Sequence, residues 1–216
     1  MEKKLAPDGS IFYKEKEKEY RRIVGGLAWP GVKPGFAVVV AEGLEDPTSR
    51  LRPYYVLGEA EERGMAELFL KCLLLGMRWK VEEWYGQADN IPMMTIISQL
   101  REQVSRRGMK GEINIQYAPF IEMPDCFRYL TDLLYGRTNS KSLIIGDDKL
   151  LSVYLFNLRH EERVSASPED FPAIAALGFA VAYLEAYDPA PPGPFPEKYG
   201  TEFDMFEDIG EERFGR

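Results

Sequence analysis

Three short apolar segments in a row decide the fold of this chain: RIVGGLAW at residues 22–29, GFAVVVAE at 35–42 and PYYVLGE at 53–59. Each is rich in β-branched or aromatic residues, which is typical of strands. Proline and glycine separate the first two segments, and the run DPTS at residues 46–49 turns the chain into the third. Since consecutive strands joined by turns pair with one another, the three segments predict a meander.

Helices and strands alternate after the meander. Apolar residues recur at helical spacing in five segments, and two shorter segments have the pattern of strands. The predicted helices are residues 61–77, 91–107, 124–135, 147–158 and 173–187, and the predicted strands are residues 80–85 and 113–117. Gly136 is expected to end the third helix. Because strands connected through helices lie parallel, the sequence predicts an α/β fold whose mixed five-stranded sheet, a three-strand meander followed by two parallel strands, is flanked by helices.

Composition divides the chain of 216 residues into three parts. Residues 1–19 are polar, with alternating lysine and glutamate, and are expected to form a flexible or helical lead-in. Residues 20–187 form the predicted domain, which is long enough to bury a sizeable core. Residues 188–216 contain five prolines and then an acidic end with several phenylalanines, and this composition predicts an extended tail.

Several classes of protein are excluded by composition. No apolar run approaches the roughly 18 residues of a membrane span, and the charged start of the chain is unlike a signal peptide. The two cysteines lack metal-ligand or disulfide spacing, which indicates reduced thiols and a cytoplasmic location. No phosphate-binding loop motif occurs, so we expect no nucleotide cofactor. A single histidine, His160, excludes a histidine-rich zinc site.

The net charge of −8 argues against a surface that binds nucleic acid everywhere. Phosphate contacts need clustered lysine and arginine, and the chain offers two local groups of these, at residues 14–22 and 101–110. Solvated lysines and a positively charged helix end are the favoured explanation for each group taken alone. A local basic patch therefore stays open.

Ligand sites in α/β sheets form at strand ends where the connections diverge. In this chain those ends are GLAWP at residues 26–30 and GQAD at residues 86–89. Together with DFPA at residues 170–173, these motifs resemble the nuclease domain of phage terminase large subunits, over about residues 20–187. That family carries an acidic residue at the end of its first strand, another at the end of its fourth strand and an aspartate before a late helix. Only the last is matched, since Ala28 and Gly86 stand at the first two positions.

This resemblance implies a ribonuclease H-like fold and a role in packaging viral DNA. The implied partners are double-stranded DNA and packaging proteins in the cytoplasm of the host cell. The implied cofactors are two Mg²⁺ or Mn²⁺ ions about 4 Å apart, held by carboxylates. Asp170 and Asp89 are the predicted metal ligands, Glu42 is a further predicted catalytic residue, and Glu59 is another acid at a strand end.

Weakened or lost endonuclease activity is what the substituted positions imply. Ala28 and Gly86 offer no side-chain ligand, whereas Mg²⁺ requires hard oxygen ligands. Whether the chain is an enzyme therefore stays open; if it is active, it is a Mg²⁺- or Mn²⁺-dependent endonuclease. An engineered Ala28 in place of a natural aspartate is another explanation of the same pattern.

Two alternatives accompany this interpretation. Asp170 and Asp89 both precede helix starts that contain proline, so helix capping explains them as well as metal binding does. The whole chain is also consistent with a non-enzymatic interaction domain that binds another protein through the acidic, aromatic tail. Spaced aromatic residues in an extended peptide can serve as anchors for a partner.

Overall fold

The computed structural model describes residues 1–5, 11–44, 52–81, 83–86, 91–106, 113–118, 125–146, 149–158 and 166–186. Strands and helices alternate along these segments, and residues 1–186 belong to one compact unit. The strands are β1 Glu2–Leu5, β2 Ile11–Glu15, β3 Lys18–Ala28, β4 Gly35–Gly43, β5 Tyr54–Glu62, β6 Glu83–Gly86, β7 Ile115–Tyr117 and β8 Leu143–Ile144. The helices are α1 Met65–Trp79, α2 Ile91–Arg106, α3 Cys126–Asn139, α4 Leu150–Asn157 and α5 Pro172–Ala186.

One mixed sheet contains all of these strands. β3, β4 and β5 form an antiparallel meander, β6 lies parallel to β3 on its other side, and β7 lies parallel to β6. The central order is therefore β5-β4-β3-β6-β7. This order confirms the predicted meander followed by two parallel strands. β8 extends the sheet in parallel beside β5, and the hairpin of β1 and β2 pairs with the start of β3.

The N-terminal hairpin contradicts the prediction of a flexible or helical lead-in. β2 pairs with β3 through Tyr13 and Tyr20, which are 3% and 2% exposed. Alternate residues of a strand face opposite sides, so a strand can bury one residue while its neighbours remain polar. Because Tyr13 is surrounded by lysines and glutamates, the alternation of buried and exposed residues was not recognisable in the sequence.

Helices cover both faces of the sheet, as predicted. Val24 and Phe36 lie in the core beneath α3, α4 and α5, whereas Ile23 and Leu27 lie in the core beneath α1 and α2. All residues of β4 are buried. A central strand covered on both sides has an unbroken apolar run, which is why its position was clear from the sequence. No helix in the described segments is both long and apolar enough to cross a membrane.

Several helix boundaries differ from the prediction, and two of these differences have a clear cause. α1 begins at Met65 instead of residue 61, because β5 continues to Glu62. α3 passes through Gly136 and ends at Asn139, so the prediction that Gly136 ends this helix is wrong. Glycine in a helix costs about 1 kcal/mol relative to alanine, which the packing of the rest of a helix can outweigh. The predicted tail, residues 188–216, lies outside the described residues.

The end of α1 provides a stability prediction. Lys80 caps this helix in the left-handed conformation, with φ 61° and ψ 39°. Because only glycine adopts this conformation without a steric cost, we expect Lys80→Gly to raise the free energy of unfolding by about 0.5–1 kcal/mol. The control is Lys71→Gly within the same helix, which should lower it by about 1 kcal/mol. Urea unfolding measures the free energy of unfolding of both variants. If both variants were stabilised, or both destabilised, the prediction would be contradicted.

Candidate functional site

The ends of two parallel strands define the candidate site. β3 ends at Ala28 and β6 ends at Gly86, and Gly86 is paired with Leu27 in the ladder between them. Since parallel strands end at the same edge of a sheet, positions 28 and 86 are close neighbours. This is the edge that the sequence predicted. Neither residue has a side-chain oxygen or nitrogen that could bind a ligand.

The start of α5 meets the same edge. Lys33, in the connection from β3 to β4, donates a hydrogen bond from Nζ to the carbonyl oxygen of Asp170 over 2.7 Å, and its ammonium group lies 4.9 Å from the centre of the Phe171 ring. Phe36, which pairs with Ala28, lines one cleft of about 140 Å³ together with Lys33 and Asp170. The structure therefore brings the Asp170 segment to the edge that contains Ala28.

Ser167 holds the carboxylate of Asp170. Its backbone N–H and its hydroxyl group donate to Oδ2 over 2.8 Å and 2.9 Å. These two hydrogen bonds, with a smaller contribution from the charge of Lys33, hold the pKa of Asp170 below its ordinary value. Both donors precede Asp170 in the chain, so these bonds close a local turn and do not cap the first N–H groups of α5. The metal-binding role of Asp170 stays a prediction.

Glu42 lies at the opposite end of the sheet from this edge. It pairs with Arg22, six positions along β4 from Phe36, a separation of about 20 Å in a strand. Its carboxylate is 1% exposed and forms ion pairs with Arg22 at 2.6 Å and Arg52 at 3.0 Å. Glu42 and Asp170 were predicted to lie together, but the structure places them apart. The reason is that β4 runs antiparallel to β3 and so ends at the other edge.

The other predicted acids have different positions. Asp89 lies outside the described residues. Glu59 accepts hydrogen bonds from the backbone N–H groups of Leu150 and Leu151 over 2.5 Å and 3.3 Å. These are the first residues of α4, so the carboxylate of Glu59 satisfies donors at the start of that helix.

Glu61 is an acidic residue near the site that the sequence did not single out. It lines the same cleft as Asp170, and its Oε2 accepts a hydrogen bond from the Tyr154 hydroxyl over 2.9 Å. The sequence placed Glu61 at the start of a helix, whereas it lies at the end of β5 and pairs with Phe36. The turn signal at Arg63 and Gly64 could have located this strand end.

The described side chains at this edge do not fit a two-metal site. Such a site needs several carboxylates that reach both ions, and two of the three implied positions are Ala28 and Gly86. Within the described segments, no group of three histidine, cysteine, aspartate or glutamate side chains could hold a metal ion. The lysine that lines the cleft, Lys33, adds a positive charge beside Asp170.

The sheet order and the helices on both faces define a ribonuclease H-like fold, as the sequence resemblance implied. No protein-family model matches the sequence, and no curated protein matches it. Among solved structures, the chain is similar to the large terminase nuclease from thermophilic phage G20c with bound zinc, at 10% identity and a TM-score of 0.47, over 79% of this chain and 90% of that chain. The same nuclease with bound magnesium is similar at 12% identity and a TM-score of 0.47, over 79% and 89% of the two chains.

The chain is also similar to a Holliday junction resolvase. The yeast mitochondrial Holliday junction resolvase Ydc2 has 8% identity and a TM-score of 0.38, over 76% of this chain and 82% of that chain.

Proposed function

We propose that this chain is a terminase-like domain that works in phage DNA packaging without two-metal catalysis. The observation that supports the proposal is the composition of the edge where β3, β6 and α5 meet. Ala28 and Gly86 occupy the two strand ends, and Asp170 is the one acid among the three implied positions. The fold is thus retained while most of the implied ligand set is missing.

The chemistry of the remaining acid supports the same conclusion. Two-metal hydrolysis needs carboxylates that bind both ions about 4 Å apart. Asp170 supplies one carboxylate, and Ser167 already donates two hydrogen bonds to its Oδ2. The ammonium group of Lys33 lines the same cleft and repels a cation. Glu61 is the other described acid that lines this cleft, and its Oε2 already accepts a hydrogen bond from Tyr154. Two partly engaged carboxylates beside a lysine are a poor basis for holding two divalent ions.

A domain without metal catalysis can still bind DNA or a partner protein. The sequence resemblance suggests double-stranded DNA and packaging proteins as its partners. The net charge of −8 restricts any contact with DNA to a local basic surface, because each phosphate contact needs a lysine or arginine. The proposed function is therefore to hold DNA or a packaging protein, not to cut DNA.

Metal titration combined with a cleavage assay tests this proposal. We expect the purified chain to show no saturable binding of Mg²⁺ or Mn²⁺ at millimolar concentration and no nicking of supercoiled plasmid. Asp170→Asn should change neither result, because its carboxylate serves the local turn. Isothermal titration calorimetry measures metal binding, and gel separation of plasmid forms measures nicking.

Asp89→Asn is the matched control, since Asp89 is the other predicted ligand. The proposal would be contradicted if the unsubstituted chain bound metal saturably and nicked plasmid, and if either substitution abolished both activities. The same samples, titrated with a fluorescent DNA duplex in the presence of EDTA, test the retained function. Metal-independent binding that weakens as salt rises is expected, and absence of binding would remove DNA from the proposed partners.

A further inference from the structure

Position 86 differs from position 28 in the space around it. Resting on the proposed function, we infer that the end of β6 is closed to every side chain, so that a metal-binding acid cannot be restored at position 86 on this backbone. A Cβ atom at Gly86 would lie 2.3 Å from the carbonyl oxygen of Leu27 and 3.2 Å from its carbonyl carbon and Cβ. Two of these three atoms belong to the backbone of β3 and cannot rotate away.

The close approach is a property of strand spacing. Gly86 does not have a left-handed backbone conformation, so glycine is required there for space and not for its φ angle. Gly86 pairs directly with Leu27 in the parallel ladder. A side chain at position 86 would therefore have to separate β6 from β3.

Neighbouring elements hold both strands in place. On the β6 side, the backbone N–H of Ala118 donates to the carbonyl oxygen of Gly86 over 3.0 Å, and β7 pairs with β6 from Trp84 to Gly86. On the β3 side, a Cβ atom at Gly26 would lie 1.8 Å from the carbonyl oxygen of Ala176, so the backbone of α5 packs directly on β3. The two strands cannot move apart without disturbing β7 or α5.

The ring of Trp84 adds a third close contact, two residue pairs before Gly86 in the ladder. A Cβ atom at Gly25 would lie 2.2 Å from this ring, which is 1% exposed in the core beneath α1 and α2. Gly25 is paired with Trp84 in the ladder. Both sides of β3 near its end are thus filled, one by α5 and one by the tryptophan.

Position 28 has no such restriction, because Ala28 already carries a Cβ atom. The edge can therefore present a side chain from β3 and Asp170, but none from the end of β6. A substitution at position 28 alone could at most assemble a partial ligand set. The packing around Gly86 thus excludes an acid at this strand end, and exchanging this one residue does not restore it.

Thermal unfolding of Gly86→Ala tests this inference directly. Alanine in a strand is ordinarily neutral or favourable relative to glycine, so a loss of stability would report the contact with Leu27. We expect the midpoint of unfolding to fall by about 4–10 °C, as overpacking of a core does. Calorimetry or circular dichroism measures the midpoint.

Gly136→Ala is the matched control. Gly136 lies on the exposed face of α3, where a Cβ atom would meet nothing within 4 Å. The same chemical change should therefore raise the midpoint by about 2–4 °C. An unchanged or raised midpoint for Gly86→Ala would overturn the inference, whatever the nuclease assays show.

A second pair of variants tests whether the close packing at Gly86 prevents metal binding and DNA cleavage. Ala28→Asp and the double variant Ala28→Asp with Gly86→Asp are compared by metal titration and plasmid nicking. We expect the double variant to gain neither binding nor cleavage beyond the single variant, and to unfold at a lower temperature. A folded double variant that cuts plasmid would overturn the inference, whereas cutting by the unsubstituted chain would contradict only the proposed function.

Discussion

Replacing Glu42 with glutamine should lower the free energy of unfolding by about 3 kcal/mol, the lower end of the range for breaking a buried ion pair. The carboxylate is 1% exposed and accepts from Arg22 over 2.6 Å and from Arg52 over 3.0 Å. Glutamine keeps the shape of glutamate but removes the negative charge that both guanidinium groups face. The arginines are 20% and 14% exposed, and their remaining contact with water keeps the expected loss moderate.

The control for this variant is Glu102→Gln. Glu102 pairs with Arg106 on the surface of α2, where the two side chains are 62% and 76% exposed. An exposed pair four residues apart contributes about 0.5 kcal/mol or less. Urea unfolding of the two variants should therefore give clearly different midpoints. Equal midpoints would mean that burial of the Glu42 charge has no special effect.

Glu42 has a structural role at the end of the sheet away from the candidate site. Arg22 joins it to α5 by donating from Nη2 to the carbonyl oxygen of Leu184 over 2.8 Å. A positive charge near the last turn of a helix is favourable, because the carbonyl groups there lack partners. The network thus fastens the end of α5 to β3 and β4. Glu42→Gln should accordingly leave metal titration unchanged while it reduces stability.

The sequence located the central sheet well because its strands have strong local signals. β4 combines a continuous apolar run with proline and glycine immediately before it, and both parallel strands follow amphipathic helices. The hairpin of β1 and β2 was missed because its buried residues are few and lie among charges. Gly136 was misjudged because a glycine can end a helix or lie within one, and only tertiary packing decides between these outcomes.

The sequence also located the edge of the site, since turn signals fix where β3 and β6 end. It grouped Glu42 with that edge because each acid was judged by its own strand end. Strand direction separates them: β4 is antiparallel to β3, so the start of β4, not its end, lies beside Ala28. The restriction at Gly86 could not be predicted, because it depends on the distance between two backbones.

Phe179→Ala should lower the free energy of unfolding by about 3–5 kcal/mol, as removal of a buried aromatic ring does. Phe179 is 1% exposed and lies in the core that α5 shares with β3, β4 and α3. The loss combines the transfer of the ring into water with the cavity left between helix and sheet. Since small proteins are stable by about 5–15 kcal/mol, this one change could remove much of the total.

Phe156→Ala is the same substitution at a side chain that is 90% exposed, on α4. It should change the free energy of unfolding by about 0.5 kcal/mol or less, so the difference between the two variants isolates burial from chemistry. Urea unfolding followed by tryptophan fluorescence measures both, and similar losses would show that α5 does not depend on this ring for its position. The expected difference matters for the site, because α5 begins just after Asp170 and packs directly on Gly26. A chain with a weakened α5 should therefore lose the arrangement of Asp170 beside Ala28 before the rest of the sheet unfolds.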